Sequence, residues 1–255
     1  MLHALNVLAA SQKRGTQATV EALVHFLNYA ATHPNAKIRY RASAMVLHVH
    51  SDASYLTEPE ARSRAGGHHF LSDQASHPNP TPNGPILNIA KILRNVMSSA
   101  AKAEVGARFL NAKEATVLRT TLTEMGHNQP VTPLQTDNST ANGIINGTVK
   151  QQASKAIDMR FYWVRDRSNQ GHFNVYWAPG RDHLGDYFTK HHSPKHHRLM
   201  RPTFLHMPTS PYTRMLRGCV DSPPVPKVTR KRIVRPTVLP HHPRHRDIQP
   251  LTRRQ

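Results

Sequence analysis

The 255-residue chain has one cysteine, Cys219, which excludes an internal disulfide and any cysteine-built zinc module. It has no uninterrupted apolar run of the roughly 18 residues that a membrane helix needs. It also lacks a basic n-region and a cleavage site at its apolar start, MLHALNVLAA. The expectation is an intracellular protein, in a cytoplasmic particle or the nucleus, without a membrane partner. Hydrophobic residues reach only 38% and aromatic ones 6%, while there are 20 prolines, so the whole length is not expected to pack. Acids are scarce, 15 against 34 Lys and Arg.

What the chain does have is positive charge: a net +19 and a pI near 10.8. Such an excess favours a polyanionic partner, nucleic acid above all. The charge is uneven. Residues 191–255 hold 14 Lys/Arg against two acids, together with 11 of the prolines. Proline and charge leave little apolar surface to offset ordering entropy. The expected organisation is therefore a helical segment over 1–36, a folded domain over 37–192, and a basic, Pro-rich, largely disordered tail over 193–255.

Within the domain the patterning alternates between periods. Val20, Leu23, Val24, Leu27, Ala30 and Ala31 have helical spacing, ended by His33-Pro34-Asn35. IRYRA (38–42) and AMVLHVHSD (44–52) read as extended. ARSRAGGHHFLSD has the glycine pair of a hairpin, and PILNIAKIL reads as another strand. A long helix is expected from about Ser98 to Met125, stopped at Gly126. TPLQTD is a short strand and NSTANGIINGT a short helix. A helix over roughly 154–169, the strand HFNVYWAP and a short helix in RDHLGDYFTK follow. This order predicts a mixed α/β layer.

Four acids fall where a sheet rim can gather them. Asp52 and Asp137 each close a strand, and ligand sites in α/β sheets lie outside strand ends. Glu104 shares a helix face with Ala100, Ala101, Ala107 and Arg108, small residues for the most part, which allow close approach to the sheet. Asp186 opens the final helix. Four carboxylates around two divalent ions roughly 3.5–4 Å apart suit phosphodiester hydrolysis. Oxygen-only ligation points to magnesium, with manganese as a substitute. Lys150, Lys155, Arg160, Arg165, Arg167 and Lys190 are the candidate phosphate contacts.

HSDASY, SSAAKAEVGA, QTDNSTANGI and WAPGRDHLGDYFTK together resemble the ribonuclease H domain of copia-type retrotransposon polyproteins, over roughly residues 2–206. The resemblance implies the ribonuclease H fold, a five-stranded mixed sheet with helices on both faces. It also implies cleavage of the RNA strand of an RNA–DNA hybrid, with Asp52, Glu104, Asp137 and Asp186 as catalytic metal ligands. The helix at 16–32 would then end a connection from a reverse transcriptase, a partner within a longer polyprotein, and Met1 would be an internal start.

The sequence departs from that pattern in places. Lys102 stands where the family commonly has an acid, Gly185 replaces the usual alanine, and His68 and His69 occupy a position usually aromatic or apolar. No YxDD-type polymerase motif and no Cys/His knuckle are present. No glutamate follows Glu124, which excludes the usual Asp–Asp–Glu integrase or transposase set. The alternative is an inert retroelement remnant that only binds nucleic acid, with Trp163, Tyr176 and Trp177 as stacking candidates against a core role. HHSPKHH (191–197) reads as solvated basic sequence. His183 is a candidate for proton transfer or product release, set against a plain loop histidine.

Overall fold

The computed structural model describes residues 1–73, 80–139, 142–143, 155–180 and 183–206. The chain divides after Pro208, and the second unit, 209–255, lies wholly outside the described residues. The short helix expected in NSTANGIINGT also falls largely outside them.

Strand β1 (Val46–Glu58) alternates, so Leu47, Val49 and Ser51 share one face and His48, His50 and Asp52 the other. It turns through Pro59–Ala61 into β2 (Arg62–Ser72), antiparallel, with Ser51 opposite Gly67 and Asp52 opposite Gly66. Strand β3 (Pro85–Ile92) extends this meander. On the other edge of β1, β4 (Thr132–Thr136) and β5 (Phe173–Trp177) add in parallel. The order β3-β2-β1-β4-β5 is a five-stranded mixed sheet.

The glycine pair expected at a hairpin turn lies instead in the middle of β2, and the reason is close approach on both faces. A Cβ on Gly67 would lie 1.8 Å from Asn111 Oδ1. Asn111 belongs to α3 (Ala100–Glu124), whose N-cap Ser99 accepts from the Lys102 N–H. A Cβ on Gly66 would lie 2.5 Å from the Thr189 methyl. Neighbouring residues of a strand point to opposite faces. Helix α3 and the 185–189 segment therefore cover opposite sides of the sheet.

The two sides differ in chemistry. Beneath α3 lie Leu47, Val49, Ala65 and Leu134, with the helix contributing Ala103, Ala107, Ala112 and Ala115. Helix α4 (Lys155–Asn169) leans on α3 through the edge-to-face pair Phe109–Trp163, whose centroids are 5.3 Å apart. Trp163 is thus a packing residue. The opposite face is built from His48, His50, His68 and Phe70, all buried, with Phe188 stacked on His68 and Phe204 meeting it edge-on.

Burial disfavours the charged form of an imidazole. It pushes both His68 and His69 down to about 4. A histidine held neutral by the fold contributes stability that is complete above the unfolded value near 6.5 and is lost as pH falls toward 4. His69→Leu should remove the part of that dependence that His69 contributes and leave the His68 part. Relative to the variant, the parent is expected to lose about 3 kcal/mol between pH 6.5 and 4. Denaturant titrations across that range check this; parallel pH curves would refute it.

Three extended or terminal segments differ from expectation. IRYRA is not a strand: both the N–H and the carbonyl of Arg41 bond to the Asn83 side chain, while Ile38 and Tyr40 stay exposed. The final helix is only a single 3-10 turn, Asp186–Phe188, ended where the Thr189 hydroxyl reaches the Asp186 carbonyl at 3.0 Å. The chain also continues in regular structure past residue 193, the expected start of the tail. Helix α5 (Pro194–Phe204) follows, with Ser193 as its cap. His197 hydrogen-bonds Tyr29 through Nε2 (2.7 Å) and Tyr187 through Nδ1, and Phe204 stacks on Tyr187 with centroids 4.7 Å apart. HHSPKHH is therefore an anchor, not a freely solvated run.

At the N-terminus, α1 (Leu2–Ala10) precedes α2 (Gln17–Ala31), which opens with a reciprocal Thr16–Thr19 capping box. The helical spacing of α2 is as the sequence predicts. Its apolar stripe is not turned into core, and Val20, Leu23, Val24 and Leu27 are 42–55% exposed.

Candidate metal centre at the sheet rim

The parallel pairing of β1 with β4 covers only Val49–Leu134 and His50–Gln135. Asp52 and Asp137 stand just beyond that pairing, where the two strands part. Asp52 does not end β1, as the sequence suggests; the strand runs on to Glu58 because its antiparallel bond to β2 continues. What ends at Asp52 is the cover on one edge.

Glu104 reaches this gap from the second turn of α3. Its Oε1 accepts the Ala53 N–H at 3.1 Å, and its Oε2 is buried without a hydrogen-bond partner. One carboxylate oxygen from each of Asp52, Glu104 and Asp137 lies within 4.8 Å of the other two, the one such group of three among the described residues. Asp52 Oδ2 also accepts the Thr189 hydroxyl at 2.6 Å. Asp186 does not join this group. Its carboxylate pairs with Lys190 four residues on, as the tight turn permits, although its charge is felt at Asp52.

Desolvation, followed by the charge of Asp52, pushes Glu104 well above the usual carboxylate range, with Asp137 adding to the rise. Asp52 is raised too, first by burial and further by Asp137 and Asp186, while His183 and the Thr189 hydrogen bond oppose the shift. Crowded carboxylates with one orphaned buried oxygen and an oxygen-only donor set fit a hard divalent cation. Arg108, fully buried one turn beyond Glu104, donates to Thr136 Oγ1 at 2.8 Å.

The glycines around the acids leave no spare room. A Cβ on Gly180 would lie 3.0 Å from Asp137 Oδ2. One on Gly185 would lie 2.8 Å from His183 Cε1, 3.1 Å from the His50 carbonyl and 3.2 Å from Asp52 Cβ. The alanine common in the resembling family would thus collide with His183. That histidine is buried, its Nε2 is 3.3 Å from the Gln135 carbonyl, and its ring lies beside His50. It packs the turn ahead of Asp186.

The candidate phosphate contacts fare unevenly. Arg165 is exposed. Arg160 and Arg167 are half-buried: Arg160 bonds Asn95 and lies over Phe109, and Arg167 bonds Gln170 and lies over Trp163. Lys190 is the partner of Asp186. Lys150 and the Lys155 side chain lie outside the described residues. Sequence reading missed Thr189, which carries no local signal, and named Arg108 only as part of a helix face. A lone arginine on a stripe of alanines was the available clue.

No family model matches the chain, and no curated protein matches it. Among solved structures it resembles the N-terminal ribonuclease H domain of a Mycobacterium tuberculosis protein, solved as a fusion with maltose-binding protein. Identity is 12% and the TM-score 0.41, over 56% of this chain and 95% of that one. LC11-RNase H1 in complex with an RNA/DNA hybrid is 10% identical at TM-score 0.41, over 56% and 93%. The prototype foamy virus protease–reverse transcriptase is 14% identical at TM-score 0.36, over 56% of this chain and 20% of that one. Likeness this weak assigns no chemistry to the chain. The strand order and the mixed sheet flanked by helices on both faces make the fold ribonuclease H-like. Among the described residues no helix is long and apolar enough to cross a membrane.

Proposed function

We propose that the chain cleaves the RNA strand of RNA–DNA hybrids, using magnesium, or manganese in its place. The observation that carries this reading is the group formed by Asp52, Glu104 and Asp137, buried or half-buried at the rim, with one carboxylate oxygen lacking any partner. Asp52 is the central ligand, held by Thr189; Glu104 is oriented by the Ala53 N–H; Asp137 closes the group from β4. A divalent cation there supplies a Lewis acid for the phosphoryl oxygens and lowers the pKa of an attacking water. Asp186, whose charge is felt at Asp52, would serve as an outer carboxylate, free to join the site once Lys190 turns to a phosphate. Arg165 and the other cations of α4 grip the backbone without reading sequence.

The copia-type origin is part of the proposal and rests on HSDASY and its companion motifs. The exposed stripe of α2 is then the face on which a reverse transcriptase would pack, in an intracellular particle. The test is a labelled RNA–DNA hybrid incubated with the full chain, with and without magnesium. Cation-dependent cleavage of the RNA strand alone is the expected result. Salt-sensitive binding without cleavage, under magnesium and manganese alike, would leave the inert nucleic-acid binder as the answer.

A further inference from the structure

An arginine is seldom wholly buried unless it is paired, and Arg108 is. It lies four residues beyond Glu104, on the same face of α3. Its Nη2 donates to Thr136 Oγ1, and that oxygen also accepts the Asn138 N–H at 3.2 Å. The guanidinium is thus tied to both neighbours of Asp137, and its charge interacts with Glu104 and Asp137. On the far side Lys190 neutralises Asp186. Through Arg108, positive charge is therefore already built into the carboxylate cluster, in a form that cannot diffuse away.

We propose that Arg108 is a resident counter-cation. It holds Asp137 and Glu104 together before any divalent ion arrives, and it weakens the binding of that ion to the cluster. Without it, three crowded carboxylates would repel one another and spread the rim open. With it, the group stays assembled, and an incoming ion finds its ligands in place but meets a like charge. Arg108 is a positioning residue in this scheme. The proposal rests on the reading that the three acids take a divalent cation.

The test measures Mn2+ binding to the full chain by calorimetry, without nucleic acid, beside thermal melts with and without the ion. Arg108→Met is expected to bind Mn2+ about tenfold more tightly or better, because removing one nearby unit charge at low effective dielectric exceeds one factor of ten. It should melt lower than the parent without the ion and gain more from adding it. Arg108→Lys keeps the charge and should keep the parent's weak affinity. A purely structural role predicts the opposite sign, since a loosened cluster binds the ion less well. A folded Arg108→Met with affinity equal to or below the parent's overturns the proposal. Should Arg108→Met fold only with Mn2+, at concentrations the parent does not bind, the proposal stands. Should it fold under neither condition, Arg108→Gln is read in the same way, and an unchanged affinity there overturns it. A parent that binds no Mn2+ sinks the metal centre along with the proposal. A parent that binds Mn2+ but never cleaves hybrid sinks the nuclease reading and leaves the Arg108 result intact.

Discussion

Asp137→Asn is expected to abolish cation-dependent hybrid cleavage while making the ion-free protein more stable. The substitution keeps shape and one acceptor oxygen and removes only the charge. Without an ion, Asp137 is a source of repulsion: its charge raises both Asp52 and Glu104. Removing it relieves that repulsion, so the melt should rise. Cleavage should fall roughly a hundredfold or more, because metal-centred charge stabilisation is worth several kcal/mol and each 1.36 kcal/mol is a factor of ten in rate. Hybrid binding should change little, since the cations of α4 lie on another element. The two opposite signs make the result hard to imitate by damage to the fold. A variant that cleaves as well as the parent would remove Asp137 from the site. One that melts lower would show that the attraction between Asp137 and Arg108 outweighs the repulsion among the acids.

The second large effect lies away from the acids. Arg64 is wholly buried in β2 and Glu58 nearly so, and Nε meets Oε1 at 2.6 Å. The guanidinium also donates to the Ala90 carbonyl at 3.2 Å and to Asn6 of α1, so it joins the first helix to the sheet. Glu58→Ala would strand a buried cation. Loss of one partner of a buried pair costs about 3–5 kcal/mol. The double variant Glu58→Ala/Arg64→Met should regain much of that loss, because the uncompensated charge is then gone. Chemical denaturation of the two variants decides it. A single variant within about 0.5 kcal/mol of the parent, the range of ordinary surface substitutions, would show that the pair contributes little.

Much of the architecture follows from local pattern. The periods of 3.6 and 2 place α2, α3, α4, β3, β4 and β5 close to where the sequence reading puts them, because each element buries or presents one face whatever its partners are. The sequence also determines the ingredients of the site. An acid just past TPLQT, an acid in β1 and an acid on a helix face of alanines are local facts, as is the excess of positive charge.

Tertiary structure decided which ingredients meet. Asp52, Glu104 and Asp137 come together because α3 crosses the sheet where β4 parts from β1; Asp186 stays outside their group because a one-turn helix hands it to Lys190. Gly66 and Gly67 look like a turn in sequence. They are strand residues in space because Thr189 and Asn111, more than forty positions away, press on the two faces. The histidines of β1 and β2 look polar and solvent-facing. His68 is buried because the Tyr187–His197–Tyr29 bonds draw α5 and Phe204 over it, and His69, on the other face, is buried against Asn111 of α3. Each of these outcomes depends on contacts between residues far apart in the chain. Local periodicity carries no record of such contacts, since side-chain direction is set by the element but the neighbour it finds is set by packing.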